Sequence, residues 1–102
     1  MVMTSAKSVA VDSYVFDVLM RDLVGHDHSP SAFLVFLYLW RHTQGQRTES
    51  AQLSLQQVAS ATGLSKSAVQ GALRILKRRK LLRAVKAHAT DVPTYSLRKY
   101  WT

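Results

Sequence analysis

Between Leu55 and Leu76 the sequence places small and apolar residues at intervals that suit two short helices packed across a tight turn. Leu55, Val58 and Ala59 fall three and four apart, Gly63 and Leu64 follow, and Val69, Ala72 and Leu73 continue the pattern. Ala59 is small enough to let two helices approach closely, and Gly63 allows the positive φ of a sharp connection. Ser54-Leu55-Gln56-Gln57 matches the S-x-x-Q capping box that opens a helix, and Gly63 ends it. Ser65 then caps a second helix running to about Lys80.

The flanking segments are read the same way. Residues 1–8 are polar and aperiodic and are expected to form a loose tail. From Val9 to Val24, Val11, Val15, Val18, Leu19 and Leu23 recur at helical spacing. This predicts an amphipathic helix capped near Asp12 or Ser13 and stopped by Gly25. Ser29 and Pro30 are the N-cap and first-turn residues of a further helix reaching Thr43. That helix, Ser31 to Arg41 at its centre, is apolar on nearly all sides and must be covered all round. Gln52-Leu53 suits a very short strand, while Leu81–Lys86 and Val92–Leu97 read as two strands joined by Ala87-His88-Ala89-Thr90-Asp91. Pro93 makes the last strand an edge strand or delays its start.

Charge is concentrated in one third of the chain. The whole carries 14 Lys and Arg against six Asp and Glu, net +8. Residues 1–65 hold four basic and five acidic side chains, and residues 66–102 hold ten basic and one acidic, Asp91. A patch of that sign attracts polyanions. On the helix after Ser65, Val69, Leu73 and Leu76 point one way. Ser67, Gln70, Gly71, Arg74 and Arg78 cluster opposite, and no acid occurs between Lys66 and Lys86. Lys66, Ser67, Gln70 and Arg74 offer donors for base edges and phosphates. Gly71 is costly inside a helix, roughly 1 kcal/mol against Ala, and either lets the backbone approach a ligand or eases packing. Lys77-Arg78-Arg79-Lys80 must wrap around the helix, so some of these side chains hold phosphates while others stay solvated.

These stretches, Leu53 to Ala59, Ala61 to Val69 and Ala72 to Leu76, resemble the winged helix-turn-helix domains of bacterial and phage regulators of MarR, GntR and replication-initiator type. The resemblance covers residues 52–97 closely and extends over roughly 70 residues with the preceding helix. It implies a mainly α fold with a small β-hairpin wing (α+β), here with an extra N-terminal helix. A single domain would span 9–102, with the helix-turn-helix at 54–80 and the wing at 81–98. It also implies double-stranded DNA as partner, read in the major groove by the helix at about 65–80. The contacts would come from Ser65, Lys66, Ser67, Gln70, Gly71, Arg74, Lys77 and Arg78, with Lys86 and His88 near the wing tip. One departure stands out: Arg79-Lys80-Leu81 occupies the place where such domains have a glycine, so the helix is expected to end later or less cleanly.

Other chemistries find less support. There is no cysteine, so disulfides, thiolate zinc sites and a cysteine nucleophile are excluded. His26-Asp27-His28 offers two imidazoles and one carboxylate in a turn, and turn polarity is the simpler reading than a metal site. Gly63-Leu64-Ser65-Lys66-Ser67 lacks the first glycine of a phosphate loop and follows a helix rather than a strand. No catalytic grouping emerges, and neither a cofactor nor a small-molecule substrate is expected. Phe33, Phe36, Tyr38 and Trp40 suit a core or subunit interface better than a pocket. Tyr95, Tyr100 and Trp101 suit packing better than base stacking. The apolar run Phe33 to Trp40 is eight residues, far below the roughly 18 of a membrane span. The start of the chain lacks the apolar stretch of a secretory signal. The expectation is a cytoplasmic, nucleoid-associated protein, a small transcriptional regulator or an accessory replication or partition factor. The alternative is a winged-helix module that binds an acidic protein and no DNA. Bare apolar surface in the near-neutral N-terminal half also suggests a homodimer through Tyr14, Val18, Phe33 and Leu37 or their neighbours, with Trp101 in reach.

Overall fold

The computed structural model describes residues 8–88 and 92–102. The expected tail therefore lies outside the described residues except for Ser8, and so do Ala89, Thr90 and Asp91 of the connection between the last two strands.

The N-terminal helix forms, but it is wound in two π-helical stretches, Val15–Leu19 and Arg21–His26, with Met20 between them. Its hydrogen bonds reach back five residues, as from the Asp27 N–H to the Asp22 carbonyl at 2.9 Å. Val15, Leu19 and Leu23 are fully buried, with Val11 and Val18 half-buried. Two expectations fail here. Neither Asp12 nor Ser13 caps the helix with its side chain, because the Asp12 carboxylate accepts a hydrogen bond from Trp101 Nε1 at 3.1 Å instead. Gly25 lies inside the second π stretch; the reversal comes later, at His28, which takes φ 52°.

Helix α1, Pro30–His42, starts as expected: the Ser29 hydroxyl accepts from the Ala32 N–H at 3.2 Å and Pro30 opens the first turn. Ala32, Phe33, Val35, Phe36, Leu39 and Trp40 are buried, so α1 forms the centre of the core. It packs against α2 (Leu55–Thr62), α3 (Lys66–Arg78) and the N-terminal segment. Coverage is not complete, since Leu34 stays 44% exposed. The α2–α3 motif matches its sequence reading closely. The reciprocal Ser54–Gln57 capping box is made, Gly63 adopts φ 79°, and Val58, Ala59, Val69 and Leu73 are buried between the helices.

Three antiparallel strands complete the fold: β1 (Ala51–Gln52), β2 (Leu82–Val85) and β3 (Thr94–Leu97), in the order β1-β3-β2. Ala84 and Ala51 both register with Tyr95, on opposite sides of it. The last strand begins after Pro93, and it is central, not an edge. Pro93 can stay because it lies just outside the ladder, where its carbonyl accepts from the Leu53 N–H at 3.2 Å. Among the described residues, no helix is long and apolar enough to cross a membrane.

Candidate nucleic-acid interface

Helix α3 separates its two faces cleanly. Val69, Ala72, Leu73 and Leu76 enter the core, while Ser67, Gln70, Arg74, Lys77 and Arg78 are exposed and Gly71 is half-exposed. The helix starts on a built cap: the Ser65 hydroxyl accepts from the Ala68 N–H at 3.1 Å and lies 3.3 Å from the Ser67 hydroxyl. Ser65, Lys66 and Ser67 are all exposed at this first turn. A Cβ built at Gly71 would meet nothing closer than the tip of Arg74, at 3.7 Å. Among the described residues only that flexible tip comes within contact distance, so of the two readings of Gly71 the packing one finds no support.

The hairpin stands beside α3 and encloses an open groove of about 580 Å³. Gln70, Arg74 and Lys77 form one wall, Lys86 and Pro93 the other, and Leu73, Ala84 and Tyr95 contribute its apolar floor. Burial pushes the Tyr95 phenol above its ordinary range, so the floor stays uncharged at neutral pH. Cationic and amide donors thus rim an apolar trough, with no carboxylate among the described residues that line it. Four of the ten predicted contacts, Gln70, Arg74, Lys77 and Lys86, share this groove. Ser65, Lys66 and Ser67 lie at the start of α3, Gly71 is in mid-helix, Arg78 is its last residue, and His88 is exposed beyond β2; none of these six lines the groove.

The basic run after Leu76 divides its labour. Lys77, Arg78 and Lys80 are exposed, but Arg79 is half-buried and paired. Its Nε donates to Asp27 Oδ2 at 2.6 Å and its Nη2 to Asp27 Oδ1 at 2.8 Å, a two-pronged ion pair. Asp22 lies 3.8 Å from Nη1 on the other side. Those hydrogen bonds, followed by the one from His26, hold the Asp27 carboxyl far below the usual carboxylate range, and Asp27 in turn raises Arg79 further. Asp27 therefore serves the fold; the His-Asp-His turn has its acid committed to an arginine. Sequence reasoning missed this pair because its partners are 52 positions apart. The signals within reach were an acid in a turn and a basic run too long for one helix face.

Helix α3 stops at Arg78, two residues before the expected end, in spite of the missing glycine. Lys80 itself takes the left-handed conformation, φ 60°. The Leu81 N–H then reaches the Leu76 carbonyl at 2.9 Å and the Lys80 N–H the Lys77 carbonyl at 3.0 Å. This is the Schellman closure, with buried Leu81 and Leu76 as its apolar contact.

The dimer residues read from sequence are mostly used within the chain. Phe33 is 7% exposed, and Tyr14 stacks on Trp101 with ring centroids 4.7 Å apart. The apolar surface left on the N-terminal segment is Phe16, Met20 and Val24, which follow one another every four residues.

Comparison with known proteins places this arrangement. No curated protein matches the sequence. Among solved structures, the chain is similar to a single-residue mutant of S. aureus MepR, with a TM-score of 0.53 and 22% identity over 87% of this chain and 67% of that one. It is also similar to S. aureus MepR bound to ethidium bromide, with a TM-score of 0.49 and 21% identity over 87% and 66%. The chain thus spans about two-thirds of the MepR chain. The first likeness concerns the fold, a helical domain with a three-stranded wing. A family model described as a helix-turn-helix domain matches residues 29–82, which run from the cap of α1 through α2 and α3 to the first residue of β2. The chain belongs to the helix-turn-helix domain family.

Proposed function

We propose that this protein binds double-stranded DNA in a sequence-specific way, with α3 in the major groove and the wing against the adjoining backbone. It acts as a transcriptional regulator or an accessory replication or partition factor, not as an enzyme, and works in the cytoplasm. One observation carries the reading: the exposed face of α3 and Lys86 of the wing converge on one groove whose described lining holds no acid. A solvated helix face ordinarily carries both signs of charge. Here Gln70 and Arg74, in mid-helix, suit base edges, while Lys77, Arg78 and Lys86 suit phosphates on either side.

We further propose a homodimer, because a single motif of this size reads few base pairs and two-fold doubling supplies the rest. The second copy would cover Phe16, Met20 and Val24, which are 46%, 38% and 37% exposed. Apposing these near-neutral N-terminal halves keeps the two basic regions apart.

The experiment is selection from random duplex DNA, followed by titration of the selected and a scrambled duplex at several salt concentrations. Arg74→Ala should relax preference by about 1–3 kcal/mol, whereas Arg78→Ala or Lys86→Ala should weaken both duplexes and lower the salt slope by about one. Equal wild-type affinity for both duplexes would overturn the sequence-specific reading. Failure to bind either would leave an acidic protein as the partner of the basic groove.

A further inference from the structure

We infer that Asp27 and Arg79 form a positioning clamp that sets the angle between α3 and the wing, and with it the width of the groove that reads DNA. The inference rests on the DNA-binding reading above. Arg79 is the C-cap that follows the last residue of α3; Lys80 makes the left-handed turn immediately after it, and Leu81 leads into β2. The two groove walls hang from this corner, with Gln70, Arg74 and Lys77 before it and Lys86 after it. A small rotation there moves one wall relative to the other. The Arg79 side chain turns away from the groove to the end of the N-terminal segment. The two bonds to Asp27, at 2.6 and 2.8 Å, fix direction as well as distance.

The surroundings support a geometric role. The side chains of Asp27 and Arg79 are 11% and 25% exposed, so water competes weakly for either. His26 Nδ1 lies 3.0 Å from Asp27 Oδ1 and 3.3 Å from Arg79 Nη2, and Asp22 flanks the guanidinium at 3.8 Å. Two carboxylates of one segment, Asp27 and Asp22, thus hold a single arginine, with His26 beside Asp27, while the neighbouring Lys77, Arg78 and Lys80 are exposed. Because its charge is compensated inside the protein, Arg79 contributes nothing to counterion release from DNA, unlike the cations on either side of it.

This makes an expectation opposite in sign to simple electrostatics. Asp27→Asn removes an acid and raises the formal charge from +8 to +9. Charge alone would tighten binding to every duplex. Loss of the clamp should instead weaken the selected duplex about five- to tenfold while leaving the scrambled duplex no weaker. Arg79→Lys keeps the charge but cannot form the fork. It should show the same selective loss with an unchanged salt slope, and circular dichroism would verify that both variants are folded at the assay temperature. If Asp27→Asn does not fold, the milder Arg79→Lys decides the matter. A variant that still discriminates like wild type overturns the clamp, as does an Arg79→Ala salt slope lower by about one, since Arg79 would then be a phosphate contact. Wild type that discriminates between no duplexes overturns the DNA reading first, and is seen before any variant is made.

Discussion

Two residues of α3 and its exit carry opposite lessons about backbone freedom. Gly71 has helical geometry and open space around it, so the glycine is not required by the fold. Gly71→Ala should therefore stabilise the protein by roughly 1 kcal/mol through helix propensity. If the bare backbone is there to approach DNA, the same methyl should weaken binding to the selected duplex. A denaturant melt and a titration on one sample separate the two effects, and unchanged affinity would remove the close-approach role. Lys80 is the converse, a side chain where the backbone wants none. At φ 60° its Cβ is crowded, a strain of roughly 1–2 kcal/mol for a residue other than glycine. Lys80→Gly should relieve part of it and raise the denaturation midpoint without changing the slope of the transition. A midpoint that falls would mean that the Lys80 side chain stabilises the corner by more than its conformation costs.

At the scale of elements, the Asp27–Arg79 pair ties the N-terminal segment to the end of α3, and its contribution depends on pH in a definite direction. The carboxyl is held below its ordinary range chiefly by the Arg79 hydrogen bonds, and secondarily by His26. A depressed folded-state value means that the stabilisation is complete above the unfolded value, about 3.9, and is lost as pH falls through the lower folded one. Wild type should thus exceed Asp27→Asn by about 1.5–3 kcal/mol at about pH 7, the range for hydrogen bonds to charged groups. That gap should shrink below about pH 4. Thermal melts across this range check it, and a gap already absent at about pH 6 would show that the pair does not hold in solution. This pair also marks where sequence reading stops. The α2–α3 motif was legible because its signals are local: a capping box across four residues, a glycine turn, and burial repeating every three or four. Gln70 and Arg74 followed from the same periodicity, whereas Lys77, expected only within the basic run that wraps the helix, takes the place in the groove that the periodicity gave to Arg78. What joins elements was not legible. Nothing near Arg79 distinguishes it from Arg78, nothing near Asp12 announces Trp101, and the centrality of β3 depends on β1, two residues from a distant part of the chain. Such contacts are decided by packing in three dimensions, where spacing along the chain carries no information.

The whole molecule is polarised. Its basic side chains gather around α3 and the hairpin, and its bare apolar stripe lies on the N-terminal segment at Phe16, Met20 and Val24. The dimensions suit a two-fold arrangement on DNA. The chain measures 39 × 32 × 25 Å, and half-sites one helical turn apart are about 34–36 Å between centres. In the proposed dimer, two copies side by side would have to present their α3 helices to successive major grooves at that spacing. The stripe is small, three side chains each less than half exposed, so the free dimer should be weak and the duplex should reinforce it. Met20→Glu places a charge at the centre of that stripe without disturbing the buried residues Val15, Leu19 and Leu23. Sedimentation at micromolar concentration should show wild type heavier than a single 11.5 kDa chain and the variant monomeric. On DNA, the variant should bind a duplex carrying one half-site as well as wild type does. It should lose at least about tenfold on a duplex carrying two, because the second copy no longer gains from the first. Equal loss on both duplexes would place Met20 in the folded core's service instead, and wild type that sediments as one chain and binds two half-sites independently would end the dimer proposal.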